Sequence, residues 1–152
     1  MIRTHGLLVI AAPTSPAVVP SRRKMTDKPA LNAREIVEIQ KLVRAMPVSD
    51  EVIRYAVRLV SRTRPEDPTA PSYVKEYVRW GASPRASQYL ILGAKARAAV
   101  TGKLCADYDG VKSVARQVLR HRVLTNFNAR AQKITINDIV EKLLAEPINA
   151  AR

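Results

Sequence analysis

The stretch that decides the fold is GASPRASQYLILGAKARAAVTG, residues 81–102. Ser83 is a favoured N-cap residue, because its hydroxyl can accept a hydrogen bond from a free backbone N–H of the first helical turn. Pro84 then takes the first helical position, where a missing N–H costs nothing. Gly102 follows the last turn, where glycine is favoured. The stretch therefore predicts a helix that begins after Ser83 and runs to about Val100.

One face of this predicted helix carries apolar side chains at intervals of three and four residues. They are Ala86, Leu90, Ile91, Ala94 and Ala98. Because alanine has the smallest side chain of the apolar set, the pattern predicts that another helix packs closely against this one.

Arg85 lies in the first turn of the same helix. The positive end of the helix dipole favours an acidic residue or a bound anion at this place, so an arginine there needs an explanation. An external phosphate held by Arg85 is one explanation, and a solvated arginine on a well-capped helix is the other. The spacing leaves both interpretations open.

The rest of the chain predicts further helices, each with a start and a stop signal. Their capping residues are Asn32, Ser49, Asp107 or Asp109, and Thr135, and Pro47, Arg64-Pro65 and Pro147 end three of them. The expected buried positions are Ile36, Ile39, Leu42 and Val43; Val52, Ile53, Ala56, Val57 and Val60; Val111, Val114, Ala115 and Val118; and Ile139, Val140, Leu143 and Leu144.

The connecting segments are predicted less sharply. Residues 64–80 contain three prolines and predict a loop, with an extended or one-turn piece at Tyr73–Val78, and residues 118–127 fit either helix or extended chain. The fold class is therefore all-α, a small bundle of four to five helices over residues 31–148. Residues 1–30, with four prolines and the basic run Ser21–Lys24, predict a disordered or non-native tail, and the basic run leaves a nucleic-acid-binding arm as an alternative.

Composition narrows the classes of function. The 152 residues carry a net charge of +13, which favours polyanionic partners. The single Cys105 and the separated His5 and His121 offer no disulfide and no metal-ligand spacing. No apolar run has transmembrane length, and we expect a cytoplasmic protein. A phosphate loop, a magnesium-binding acidic strand and a glycine-framed nucleophile turn are all absent from the sequence, so we predict no catalysis by this chain alone.

Several segments in order resemble the C-terminal part of MoxR-type AAA+ ATPases. They are Leu42-Val43-Arg44, Pro47-Val48-Ser49-Asp50-Glu51-Val52-Ile53, Gly81-Ala82-Ser83-Pro84-Arg85-Ala86, Val118-Leu119-Arg120-His121-Arg122 and Ile134-Thr135. Thr101–Gly110 departs from the family pattern, because the usual cap before the following helix is replaced by Asp107 or Asp109.

The resemblance implies a helical lid that follows an α/β nucleotide-binding core. It implies that Arg85 is the second-sensor arginine, with Gly81, Ala82, Ser83 and Pro84 as its supporting helix N-terminus. ATP and Mg²⁺ would then be bound through a core domain that this chain does not contain. The implied partners are that core, neighbouring ring subunits and von Willebrand factor A-domain proteins, in a chaperone-like maturation role.

A small basic helical module that binds nucleic acid is the second hypothesis. The charge and the arginines at 116, 120 and 122 favour it. Aromatic residues near these arginines are sparse, however, with Tyr108 and Phe127 the nearest, so base stacking has little support in the sequence.

Overall fold

The computed structural model describes residues 31–147. Within this range the chain forms seven helices and one two-stranded sheet. The elements are α1 (Ala33–Ala45), α2 (Asp50–Ser61), α3 (Ser72–Tyr77), β1 (Val78–Trp80), α4 (Arg85–Val100), α5 (Tyr108–Leu119), β2 (Leu124–Thr125), α6 (Phe127–Ala131) and α7 (Ile136–Ala145). The all-α prediction is confirmed: the five longer helices are those predicted, α3 lies where an extended or one-turn piece was predicted, and α6 is a short addition.

The predicted caps explain where most of the longer helices begin. The side chains of Asn32, Ser49 and Thr135 accept hydrogen bonds from backbone N–H groups in the first turns of α1, α2 and α7. Of the two aspartates proposed for α5, Asp107 is the cap, because its Oδ1 accepts from the Gly110 N–H at 2.8 Å. Gly102 follows α4 with φ of +71°, the left-handed conformation that glycine adopts without steric cost.

The prediction for the start of α4 is wrong in one respect. Ser83 makes no side-chain cap, and Pro84 occupies the N-cap position rather than the first helical position. The physical reason is a tight first turn: the Ala86 N–H donates to the Ser83 carbonyl at 2.9 Å and the Ser87 N–H to the Pro84 carbonyl at 3.1 Å. The first of these i→i+3 bonds already engages the Ala86 N–H, which a Ser83 side-chain cap would have bound.

The core forms between α2, α4, α5 and α7, with α4 at its centre. Ala86, Leu90, Ala94 and Ala98 of α4 are buried, and Ile91 is partly buried, as the apolar pattern predicts. The predicted close approach is confirmed at α5, where a Cβ built on Gly110 would meet the Ala94 Cβ at 3.3 Å. Each large side chain buried here stabilises the fold by about 1.5–3 kcal/mol.

The α2 face is rotated slightly from the predicted one. Val57 was expected in the core but is 46% exposed, whereas Tyr55 and Leu59 are buried beside Val52, Ala56 and Val60. Leu59, which the pattern left out, is completely buried. On α7, Ile139, Val140 and Leu143 are buried as predicted and Leu144 is partly buried.

The two segments left open by the sequence pair with each other. Residues 72–80 form α3 and β1, and α5 stops at Leu119 before the chain becomes extended at β2. The strands are antiparallel, with Val78 opposite Thr125 and Trp80 opposite Leu124. The Asn126 N–H donates to the Tyr77 carbonyl at 2.9 Å and extends this pairing.

Helix α1 lies outside the core of the described residues. None of its side chains is buried, and Ile36, Ile39 and Leu42 are 45%, 45% and 59% exposed, contrary to their expected burial. Among its contacts with α4 is a hydrogen bond from Lys95 Nζ to the Arg44 carbonyl at 3.2 Å.

Two other sequence predictions concern the N-terminal tail and membrane-spanning segments. The proposed tail at residues 1–30 lies outside the described residues. Among residues 31–147, no helix is long and apolar enough to cross a membrane.

Candidate functional site

Arg85 begins α4 and projects from the surface of the domain. Its side chain is exposed, and within residues 31–147 it has no hydrogen-bond or ion-pair partner. Arg62 and Arg116, by contrast, pair with Glu146 and Glu141. Arg85 therefore presents its whole guanidinium, with five N–H donors in a planar fork, to a group from outside the described domain.

The loop before Arg85 is fixed to the end of α2 through Ala82. The Ala82 N–H donates to Thr63 Oγ1 at 2.9 Å, and the Ala82 carbonyl accepts from Arg64 Nε at 3.0 Å. Thr63 is almost fully buried, and its hydroxyl in turn donates to the Val60 carbonyl at 2.6 Å. Both backbone groups of Ala82 are thus bound three residues before Arg85.

Gly81 allows this loop to approach α2. A Cβ built on Gly81 would lie 2.5 Å from the Thr63 carbonyl oxygen and 2.6 Å from the Arg64 Cα, which is closer than real Cβ atoms come. Only glycine therefore fits this position without moving the backbone. We call Thr63, Arg64, Gly81 and Ala82 the loop clamp.

The structure brings the predicted site residues together but gives them unequal roles. Gly81 and Ala82 belong to the loop clamp, and Pro84 caps α4, whereas the exposed Ser83 contributes its carbonyl and no side-chain bond. Sequence reasoning missed Thr63 and Arg64. The available signal was a threonine that directly follows an apolar helix, but its partner lies 19 residues away.

The stretches of chain that contain Arg85 and the segment after α5 starts are basic. Between Glu76 and Asp107 the chain has five basic residues and no acidic one, and between Asp109 and Asp138 it has six and none. These stretches include β1, α4, most of α5, β2 and α6. Trp80, Leu124 and Phe127 are 57%, 56% and 80% exposed on the same elements. This combination suits an acidic partner that also supplies apolar surface.

A separate cavity of about 510 Å³ lies between α2, the start of α5 and the end of α7. Tyr55 and Tyr108 pack edge to face in its wall with ring centroids 5.2 Å apart. Burial raises the pKa of Tyr55. The acidic Glu51 and Asp109 and the basic Arg58 and Lys112 also line this cavity, which gives it mixed charge. None of the residues predicted at the Arg85 site lines it, so it is a distinct feature.

Comparisons with known proteins agree with this architecture. Residues 70–143 match the AAA lid domain family. Over 127 residues the chain is 31% identical to the chaperone MoxR1 of Mycobacterium tuberculosis (strain ATCC 25618 / H37Rv), an alignment that covers 81% of this chain and 34% of MoxR1. It also matches the crystal structure of a "putative ATPase" from Cytophaga hutchinsonii ATCC 33406 with a TM-score of 0.72 and 28% identity, over 78% of this chain and 36% of that one.

The chain spans about a third of the length of both relatives. The matched family residues contain β1, α4, α5, β2 and α6, and therefore the whole surface that displays Arg85. The helical domain described here is a MoxR-like AAA+ lid.

Proposed function

We propose that this lid closes over a nucleotide held by an AAA+ core domain and that Arg85 contacts the phosphates of that nucleotide. The observation that supports the proposal is the position of Arg85. It is an exposed arginine without a partner in the described domain, and it begins a helix that the loop clamp anchors. A guanidinium fork matches the oxygens of a phosphate group and binds them with charge-assisted hydrogen bonds.

The chain supplies only part of such a site. The sequence has neither a phosphate loop nor a magnesium-binding acidic strand, so ATP and Mg²⁺ would be held by the core, which would also supply the hydrolytic chemistry. Arg85 would orient the terminal phosphates, and its contact with them would make the position of the lid depend on their presence. Because the loop clamp connects Arg85 to α2, occupancy of the phosphate site would bias the position of the whole helical domain.

The wider role follows from the relatives. MoxR1 is a chaperone, and we propose that this lid works in chaperone-like maturation of other proteins in the cytoplasm. Its partners would be the core domain, neighbouring ring subunits and von Willebrand factor A-domain proteins. The basic surface of β1, α4 and β2 favours an acidic face on the core or on the neighbouring subunit.

The test combines this chain with a separately produced nucleotide-binding domain of a MoxR-type protein. We expect ATP turnover only in the mixture, and Arg85→Ala should lower turnover at least tenfold, about 1.4 kcal/mol of lost transition-state stabilisation. Arg97→Ala, which removes the same charge from the last turn of α4, is the matched control. Equal turnover for the two variants would contradict the sensor role. ATP turnover by this chain alone would contradict the proposal that the core supplies the hydrolytic chemistry.

A second candidate is single-stranded nucleic acid binding. One observation favours it: Trp80 and Phe127 are both exposed, each within a basic stretch of the chain, and can serve as stacking platforms. Trp80 is the single tryptophan of the chain, so its fluorescence reports stacking directly. Quenching by oligonucleotides that weakens steeply with salt would support this function. No quenching at low salt would eliminate it.

A further inference from the structure

Tyr89 lies on the same helix as Arg85 and contacts a second arginine, Arg122. Tyr89 lies four residues after Arg85 on α4, so the two side chains share one face of the helix. Helical side chains lean toward the helix N-terminus, which brings the Tyr89 ring over the turn that carries Arg85. The guanidinium carbon of Arg122 lies 4.8 Å from the centroid of that ring. Arg122 therefore packs on an aromatic ring that lies one helical turn from Arg85 on the same face of α4.

Arg122 belongs to the Val118–Arg122 motif and is held in place by its neighbours. Its Nη1 donates to the Val118 carbonyl at 2.7 Å and also to Nε2 of His121. The Tyr89 ring supports the face of the guanidinium. These contacts engage Nη1 and the face, so the Nε and Nη2 donors remain for a ligand. A side chain fixed before binding loses little conformational entropy when a ligand arrives.

No described carboxylate compensates the charge of Arg122. It is partly buried and forms no ion pair within residues 31–147. The partly buried Arg62, by contrast, has Glu146 as its partner. A guanidinium that loses hydration without gaining a counter-charge is costly, and an anion from outside removes that cost.

We propose that Arg122 is a second anion-binding residue of the Arg85 site, so that both arginines bind phosphates of one nucleoside triphosphate. Tyr89 is the positioning residue that holds Arg122 beside Arg85. The inference rests on the proposed function of Arg85 and extends it to the Val118–Arg122 motif, which that function leaves without a role.

The experiment uses the full 152-residue chain and inorganic tripolyphosphate, followed by ATP as a second ligand. Arginine Nε–Hε signals are recorded by NMR at low salt during each titration. We expect the Arg85 and Arg122 signals to shift together with one common Kd, ahead of other arginines. Arg122→Gln should raise that Kd about tenfold, since a charge-assisted hydrogen bond contributes more than a neutral one.

Three further variants separate binding from structure. Arg97→Gln removes one charge from α4 away from Tyr89 and should leave the Kd within about twofold, because exposed charges are screened. Tyr89→Phe keeps the aromatic support and the affinity. Tyr89→Leu removes the aromatic face and should weaken binding as Arg122→Gln does. Thermal melts of each variant confirm that the domain remains folded.

The possible results distinguish this inference from the function on which it rests. If Arg85→Gln weakens tripolyphosphate binding but Arg122→Gln matches Arg97→Gln, Arg85 keeps its role and the inference is wrong. If neither arginine matters, both proposals fail. Equal shifts of all arginines, or no shift at saturating tripolyphosphate, would also overturn it. If ATP added together with the separately produced core domain shifts neither arginine signal, although tripolyphosphate does, a nucleotide is refuted as the ligand.

Discussion

Replacing Gly81 by alanine tests whether the loop clamp determines the position of Arg85. The added Cβ would lie 2.5 Å from the Thr63 carbonyl oxygen and 2.6 Å from the Arg64 Cα. Both are backbone atoms, so no side-chain rotation can relieve the contact. The loop and the end of α2 must therefore move apart, and this movement lengthens the two hydrogen bonds of Ala82.

The expected loss in the free energy of unfolding is the sum of three contributions. Overpacking costs about 1–3 kcal/mol, and each weakened hydrogen bond costs about 1 kcal/mol. Alanine also restricts the unfolded chain, which recovers about 0.4–1 kcal/mol. The net loss is about 2–4.5 kcal/mol, which for a domain of this size lowers the Tm by about 10–20 °C.

Urea unfolding followed by circular dichroism at 222 nm measures this loss. Gly102→Ala is the matched control: Gly102 has φ of +71° and no atom within 4 Å of a built Cβ, so alanine meets backbone strain but no steric contact. That strain costs about 1–2 kcal/mol, and the same entropy gain offsets part of it. If Gly81→Ala is no less stable than Gly102→Ala, the close approach of the loop to α2 does not constrain the fold.

Three other perturbations test separate features. Thr63→Val leaves the Ala82 N–H without its partner and should cost about 2 kcal/mol in urea unfolding, with faster hydrogen exchange at Ala82, whereas Thr63→Ser should keep that amide protected. Hydrogen bonds from Thr135 lower the pKa of Asp138, so its stabilising contribution is complete above an unfolded pKa of about 3.9 and is lost as the pH falls through the lower folded value. The stability difference between the native chain and Asp138→Asn should therefore shrink between pH 5 and pH 2, and a constant difference would contradict this linkage. Burial, followed by the charge of Glu146, raises the pKa of Tyr73, so Glu146→Gln should lower the midpoint of its spectrophotometric titration. An unchanged midpoint would exclude Glu146 as a cause.

The helices of this domain were predictable because their signals are local. Asn32, Ser49 and Thr135 each cap a helix through a bond to a residue three positions ahead, so the pattern and the structure depend on the same short segment. The Ser83 cap failed for an equally local reason, because the tight turn at Pro84 used the Ala86 N–H that the cap would have bound. Serine before proline does not distinguish the two arrangements.

The contacts that shape the candidate site were not predictable, because they join distant segments. Thr63 and Ala82 are 19 residues apart, and Tyr89 meets Arg122 only after α5 has turned the chain back along α4. The sequence indicated that Arg85 stands at a helix start. It did not indicate what anchors that start, nor that Arg122 packs on Tyr89 of the same helix.

The anchoring of Arg85 determines what a phosphate bound there can do. A flexible loop would absorb the movement of its arginine, but this loop is hydrogen-bonded to α2 through both backbone groups of Ala82. Beyond the loop, α4 packs on α5 with so little space that a Cβ built on Gly93 would meet Val114 Cγ2 at 3.1 Å. Close-packed helices transmit displacements rather than deform. Under the proposed function, a displacement of Arg85 by a bound phosphate would therefore be shared by α2, α4 and α5, and a small change at that phosphate would move the lid as a body.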